Sequence, residues 1–106
     1  MSEQKILNQI VKLIVEYKRP EKIMVFGSRA RDAFKDISDI DIAIFGKYWT
    51  DTDINIVKNT LDEFVKTPLK IDVVNFYGLK KERLKQNILK EGRVIYESRE
   101  DKRGLC

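Results

Sequence analysis

Apolar residues recur along the chain in two rhythms. Ile6, Ile10, Leu13, Ile14 and Tyr17 return every three or four positions, which predicts a helix with one buried stripe. Ser2 is placed to cap its start, and Pro20 stops it near Arg19. KIMVF, Lys22 to Phe26, is an apolar run of strand length, punctuated by Gly27 and Ser28. RARDAF then reads as a short helix and KDIS as a turn. In DIDIAIF the rhythm changes to strict alternation. Ile40, Ile42 and Ile44 fall on one side of the predicted strand, and Asp39, Asp41 and Ala43 on the other. Thr50 or Asp51 caps a second long helix with Ile54, Val57, Leu61, Phe64 and Val65 as its stripe, and Pro68 ends that connection. KIDVVNF, Lys70 to Phe76, is a third strand. LKKERLKQNILKEG predicts a last helix with Leu79, Leu84, Ile88 and Leu89 inward, closed by Gly92. RVIYE adds a final strand or edge segment. This alternation of helices and strands predicts one α/β domain over residues 1–97, a small sheet with helices mainly on one face, and a charged tail at 98–106. Local preference does not fix the strand order.

Composition narrows the chemistry. A chain of 106 residues is enough for one domain, and its 42% hydrophobic content suits a globular fold. With no histidine, the chain itself has no imidazole for a zinc site or a catalytic triad. Its single cysteine, Cys106, excludes an intrachain disulfide and fits a reducing compartment. No apolar run is long enough to span a bilayer and MSEQKILNQ is not a signal peptide, so a cytoplasmic location and no membrane partner are expected. The net charge of +4 permits an anionic partner without requiring one.

The acids in the alternating strand raise a sharper question. Asp39 and Asp41 point the same way, roughly 7 Å apart along a strand. Two carboxylates at that spacing repel by about 2–3 kcal/mol at an effective dielectric near 20, a cost that a bound cation relieves. Magnesium prefers such hard oxygen ligands and completes its shell with water and phosphate. Asp-x-Asp also occurs on the plain solvent face of an edge strand, and a Gly-Ser turn also caps ordinary helices. Two further features accompany the pair. Gly27 and Ser28 end a strand where a helix opens, where glycine lets a ligand approach the backbone and N–H groups attract phosphate. Asp72 lies amid apolar strand residues, where a charge needs a partner or solvent. A stretch from Asp51, DTDINIVKNTLD, begins like an EF-hand loop but has Ile56 where glycine is needed and Asp62 where glutamate closes the loop.

The segment GSRARDAFKDISDID, with ten residues between Gly-Ser and Asp-x-Asp, resembles the signature of the DNA polymerase β-like nucleotidyltransferase superfamily, in particular its minimal, MntA-like branch. ILKEGRVIYE is similar to the way these small proteins end. The resemblance implies the polymerase β-like fold. It implies that Asp39, Asp41 and Asp72 bind two magnesium ions and carry catalysis, with ATP as substrate. It places Gly27, Ser28 and the neighbouring Arg29 at the nucleotide phosphates. Asp32 stands where the family often has glycine and adds a negative charge near the phosphate element. The implied activity is transfer of AMP to a protein hydroxyl, a tyrosine of a HEPN-domain toxin, by the antitoxin of a toxin–antitoxin pair. The alternatives are neutralisation of such a partner by contact alone, or transfer to a small molecule or an RNA end. Direct nucleic-acid binding is not expected, and a homo- or hetero-oligomer is compatible with the sequence.

Overall fold

The periodicities of the sequence resolve into one mixed sheet in a computed structural model that describes residues 3–27, 39–67 and 69–98. The elements run α1 (Glu3–Tyr17), β1 (Lys22–Phe26), β2 (Ile40–Phe45), α2 (Asp51–Phe64), β3 (Ile71–Asn75), a 3-10 turn (Phe76–Gly78), α3 (Glu82–Glu91) and β4 (Arg93–Glu97). Strand order is β3-β2-β1-β4. β1 is antiparallel to both β2 and β4, whereas β2 and β3 are parallel. A parallel pair needs a crossover, and α2 provides it. The short helix expected at RARDAF, the KDIS turn, the Ser2 cap, Pro68 and the tail from residue 99 lie outside the described residues.

Strand alternation divides the apolar residues between two cores. Ile23 and Val25 of β1, Ile40, Ile42 and Ile44 of β2, and Ile71 and Val73 of β3 face Ile10 and Ile14 of α1 and Val57 and Leu61 of α2. On the other face Met24, Ala43 and Phe45 meet Phe76 and Ile88, with Phe26, Val74 and Leu84 packed around them. Two of the described helices therefore cover one face, and α3 covers the other. Phe64 and Leu89, expected inward, are 54% and 52% exposed. Leu89 follows the buried Ile88 and is turned about 100° from it around the helix. Phe64 is the last residue of α2.

Thr50 is the cap of α2, in a reciprocal box with Asp53: the Asp53 N–H donates to Thr50 Oγ1 at 3.2 Å, and the Thr50 N–H donates to Asp53 Oδ2 at 2.9 Å. Asp53 also accepts from Tyr17 Oη at 2.6 Å and Lys18 Nζ at 3.0 Å, which ties α1 to α2. The Tyr17 hydroxyl first, then the Thr50 N–H and Lys18, hold the Asp53 carboxyl well below the usual carboxylate range. Among the described residues no helix is long and apolar enough to cross a membrane.

At the far end of β2 the chain turns through Gly46 under a buried tryptophan. A Cβ at Gly46 would overlap the Trp49 indole. The Asn75 side chain holds this turn to the end of β3: its Nδ2 donates to Gly46 O at 3.0 Å, and its Oδ1 accepts from the Gly46 N–H at 3.3 Å. Gly46→Ala is therefore expected to cost about 2–3 kcal/mol, the scale of overpacking a filled interior. Chemical denaturation followed by Trp49 fluorescence measures it, and an unchanged midpoint would contradict this packing.

Candidate active site

The candidate site lies at the opposite end of the strands, on the face covered by α3. β1 ends at Phe26, and Gly27 follows with φ +76°, a conformation that glycine adopts without steric cost. The chain there passes against a carboxylate: a Cβ on Gly27 would stand 2.7 Å from Asp41 Oδ2. In the sheet register Asp41 is the partner of Phe26 on one side and of Asp72 on the other. The three residues form a row across β1, β2 and β3. Neighbouring strands are about 4.8 Å apart and register partners share a face, so the two acids stand side by side.

Asp39 is exposed, just before β2, and two positions from Asp41. Asp41 and Asp72 are half-buried. Burial pushes the Asp41 carboxyl above its ordinary value, and the negative charges of Asp72 and Asp39 push it the same way, against a smaller opposing pull from Lys70. Asp41 thus feels the charge of both other acids, although among the described residues no three acidic, cysteine or histidine side chains are gathered into a ready-made metal cage. The donor set fits a divalent cation nonetheless. It consists of hard carboxylate oxygens whose mutual repulsion a cation would relieve. Ser28 and Arg29, placed at the phosphates from the sequence, lie outside the described residues.

A cavity of about 270 Å³ opens beside this row, lined by Phe26, Gly27, Asp41, Leu84, Asn87 and Glu91. The contribution of α3 was not visible in the sequence, where LKKERLKQ reads as a basic solvated surface. The signal that could have found it is the spacing of Leu84, Asn87 and Glu91, which shares one side of a helix with the apolar stripe. A larger cavity, about 630 Å³, lies at the other end of the sheet, among Lys22, Phe45, Tyr48, Trp49 and Tyr77. It contains none of the three acids, so the smaller one is the candidate for chemistry.

Comparison with known proteins gives the family. The family model described as "Polymerase beta, Nucleotidyltransferase" matches residues 8–101. The chain belongs to the polymerase beta nucleotidyltransferase family. This nucleotidyltransferase is 36% identical over 107 residues, 91% of its own length and all of the relative's, to a Methanocaldococcus jannaschii protein named "Putative protein adenylyltransferase". Among solved structures, a toxin–antitoxin with AMP-PNP is 22% identical at a TM-score of 0.70, covering 92% of this chain and 77% of that one. A tri-AMPylated Shewanella oneidensis HEPN toxin in complex with MNT antitoxin gives 18% identity and a TM-score of 0.67, covering 96% and 78%. These structural likenesses show the polymerase β-like fold. Family membership makes the chain a nucleotidyltransferase, with a nucleotide substrate and a divalent metal.

Proposed function

We propose that this nucleotidyltransferase is a magnesium-dependent protein adenylyltransferase. It moves AMP from ATP to a hydroxyl of a partner protein, a tyrosine of a HEPN-domain toxin, and serves as the antitoxin of that pair in the cytoplasm. The observation that carries the reading is the register pairing of Asp41 with Asp72 beside the left-handed turn at Gly27. The naming of a 36% identical relative as an adenylyltransferase supports the transferred group. The toxin–antitoxin neighbours support the partner.

Asp39, Asp41 and Asp72 are the residues to hold two magnesium ions. When bound, such ions neutralise the triphosphate and lower the pKa of the acceptor hydroxyl. The backbone at Gly27, with Ser28 and Arg29, grips the β- and γ-phosphates and aligns the α-phosphorus. Asp72 is the group to accept the hydroxyl proton. The acceptor oxygen bonds to the α-phosphorus, the bond from that phosphorus to the bridging oxygen of the β-phosphate breaks, and pyrophosphate leaves. The domain spans residues 1–97, with 98–106 as a charged tail outside the catalytic unit.

Incubation with a HEPN partner, magnesium and ATP labelled at the α-phosphate tests the proposal, with Asp41→Asn beside the unaltered protein. Label on the partner that disappears in the variant is the expected result. Full neutralisation of the toxin by the variant without label would replace transfer by contact, and label on RNA alone would change the acceptor.

A further inference from the structure

The cavity beside Gly27 has two unlike walls. Gly27 and Asp41 form the rim that meets the phosphate and metal chemistry. Phe26, next to Gly27, and Leu84 of α3 both pack onto the second core and give the cavity an apolar surface. Above it, Asn87 is exposed, and its carboxamide has no hydrogen-bond partner among the described residues. Glu91 is already engaged by another group. A volume of about 270 Å³ is just below the range of whole small-molecule sites, so it suits one end of a nucleoside triphosphate with the remainder lying across Gly27.

We propose that this cavity receives the nucleobase and that Asn87 reads it as adenine. The inference rests on the nucleotidyltransferase reading above and adds the base-reading residue to it. A flat ring needs an apolar surface on its face and a directional polar group at its edge. Phe26 and Leu84 provide the first and Asn87 the second. A carboxamide presents a donor and an acceptor side by side, the complement of adenine N7 and its N6 amino group. Guanine offers two acceptors at the same edge, O6 and N7, so its O6 would face the carboxamide oxygen. The ribose spans the interval to Gly27, which puts the α-phosphate toward Asp41. Base selection thus comes from α3, while phosphate and metal binding come from the strand ends.

Equilibrium binding of ATP and GTP with calcium, and with no acceptor protein, tests this on the full chain. The unaltered protein is expected to bind ATP about tenfold more tightly than GTP, the scale of one bidentate base contact. Asn87→Leu, which keeps the size and removes both polar groups, is expected to lose about tenfold in ATP affinity and to leave GTP unchanged. Gln86→Leu, one position along the same helix, is the control and is expected to change neither. Because Asn87 is exposed, the variant keeps its core, and a thermal melt verifies that. Equal losses for ATP and GTP in Asn87→Leu would overturn base reading in favour of a ribose or phosphate contact. No loss for either would also overturn it. Failure of the unaltered protein to bind any nucleotide would overturn this inference together with the reading it rests on. A wrong acceptor in that reading leaves the binding test standing.

Discussion

Asp41→Asn is expected to abolish nucleotidyl transfer and at the same time make the free protein harder to unfold. Both effects follow from the crowding of negative charge around one strand position. With Asp41 in the proposed role of metal ligand, its removal forfeits several kcal/mol of transition-state stabilisation. About 4 kcal/mol corresponds to roughly 10³-fold in rate. The stability effect has the other sign. The folded protein holds the Asp41 carboxyl above its ordinary value of 3.8, because the group is half-buried and feels the charges of Asp72 and Asp39. Raised affinity for a proton in the folded state means that the ionised carboxylate opposes folding. That penalty is absent well below pH 3.8, grows as pH rises through the folded-state pKa and is complete above it. Asparagine has no such charge, so the variant gains near neutral pH and the gain vanishes in acid. A change of about 1 kcal/mol moves the melting temperature of a domain this size by roughly 4–8 °C. Melting curves of both proteins at neutral and acid pH, without divalent ions, measure it. A variant that melts lower at neutral pH would refute the repulsion. Added magnesium is expected to raise the melting temperature of the unaltered protein and to leave the variant unmoved.

Gly27→Ala is the second large effect, and its cost falls on activity more than on stability. The left-handed backbone at φ +76° penalises any Cβ by about 1–2 kcal/mol. The new methyl would also stand 2.7 Å from Asp41 Oδ2. That oxygen is the tip of a side chain, so the overlap is relieved when the carboxylate swings away, and little further stability is lost. The swing takes Asp41 out of the place that the proposed mechanism gives it. A loss of about 100-fold in transfer is expected, as for a misplacement of about 1 Å at a reacting centre. At about 1–2 kcal/mol the melting temperature is expected to fall by roughly 4–16 °C, and its rise with magnesium is expected to shrink. Unaltered transfer in Gly27→Ala would show that this close approach has no part in the chemistry.

Much of the fold was legible because each strand declares its own faces. Ile40, Ile42 and Ile44 against Asp41 and Ala43 gave β2 and its buried side, and KIMVF and RVIYE gave β1 and β4 within their observed bounds. The strand order was not legible, since pairing is settled by which faces fit together rather than by local preference. Residue spacing also left Leu89 inward, because a helical stripe does not reveal how wide a contact it meets. Here α3 offers only Ile88 as a fully buried side chain. At the site, the pairing of Gly27 with Asp41 followed from the resemblance of the motif, and the structure adds why the glycine is needed. The alignment of Asp72 with Asp41 depended on a parallel pairing that no local signal encodes. Asn87 was invisible for the same reason: an amide on a basic helix looks like surface until another element comes to face it.

The parallel pairing also makes segment length a chemical quantity. Successive residues of β3 point to opposite faces, so sliding it by one position along β2 would exchange every side chain between them. Asp72 would be driven among the isoleucines under α1 and α2, and an aliphatic neighbour would take its place beside Asp41. A single-residue insertion between Asp72 and Val73, with the apolar residues after it holding their places, would turn that carboxylate to the other face and take it from beside Asp41 without substituting it.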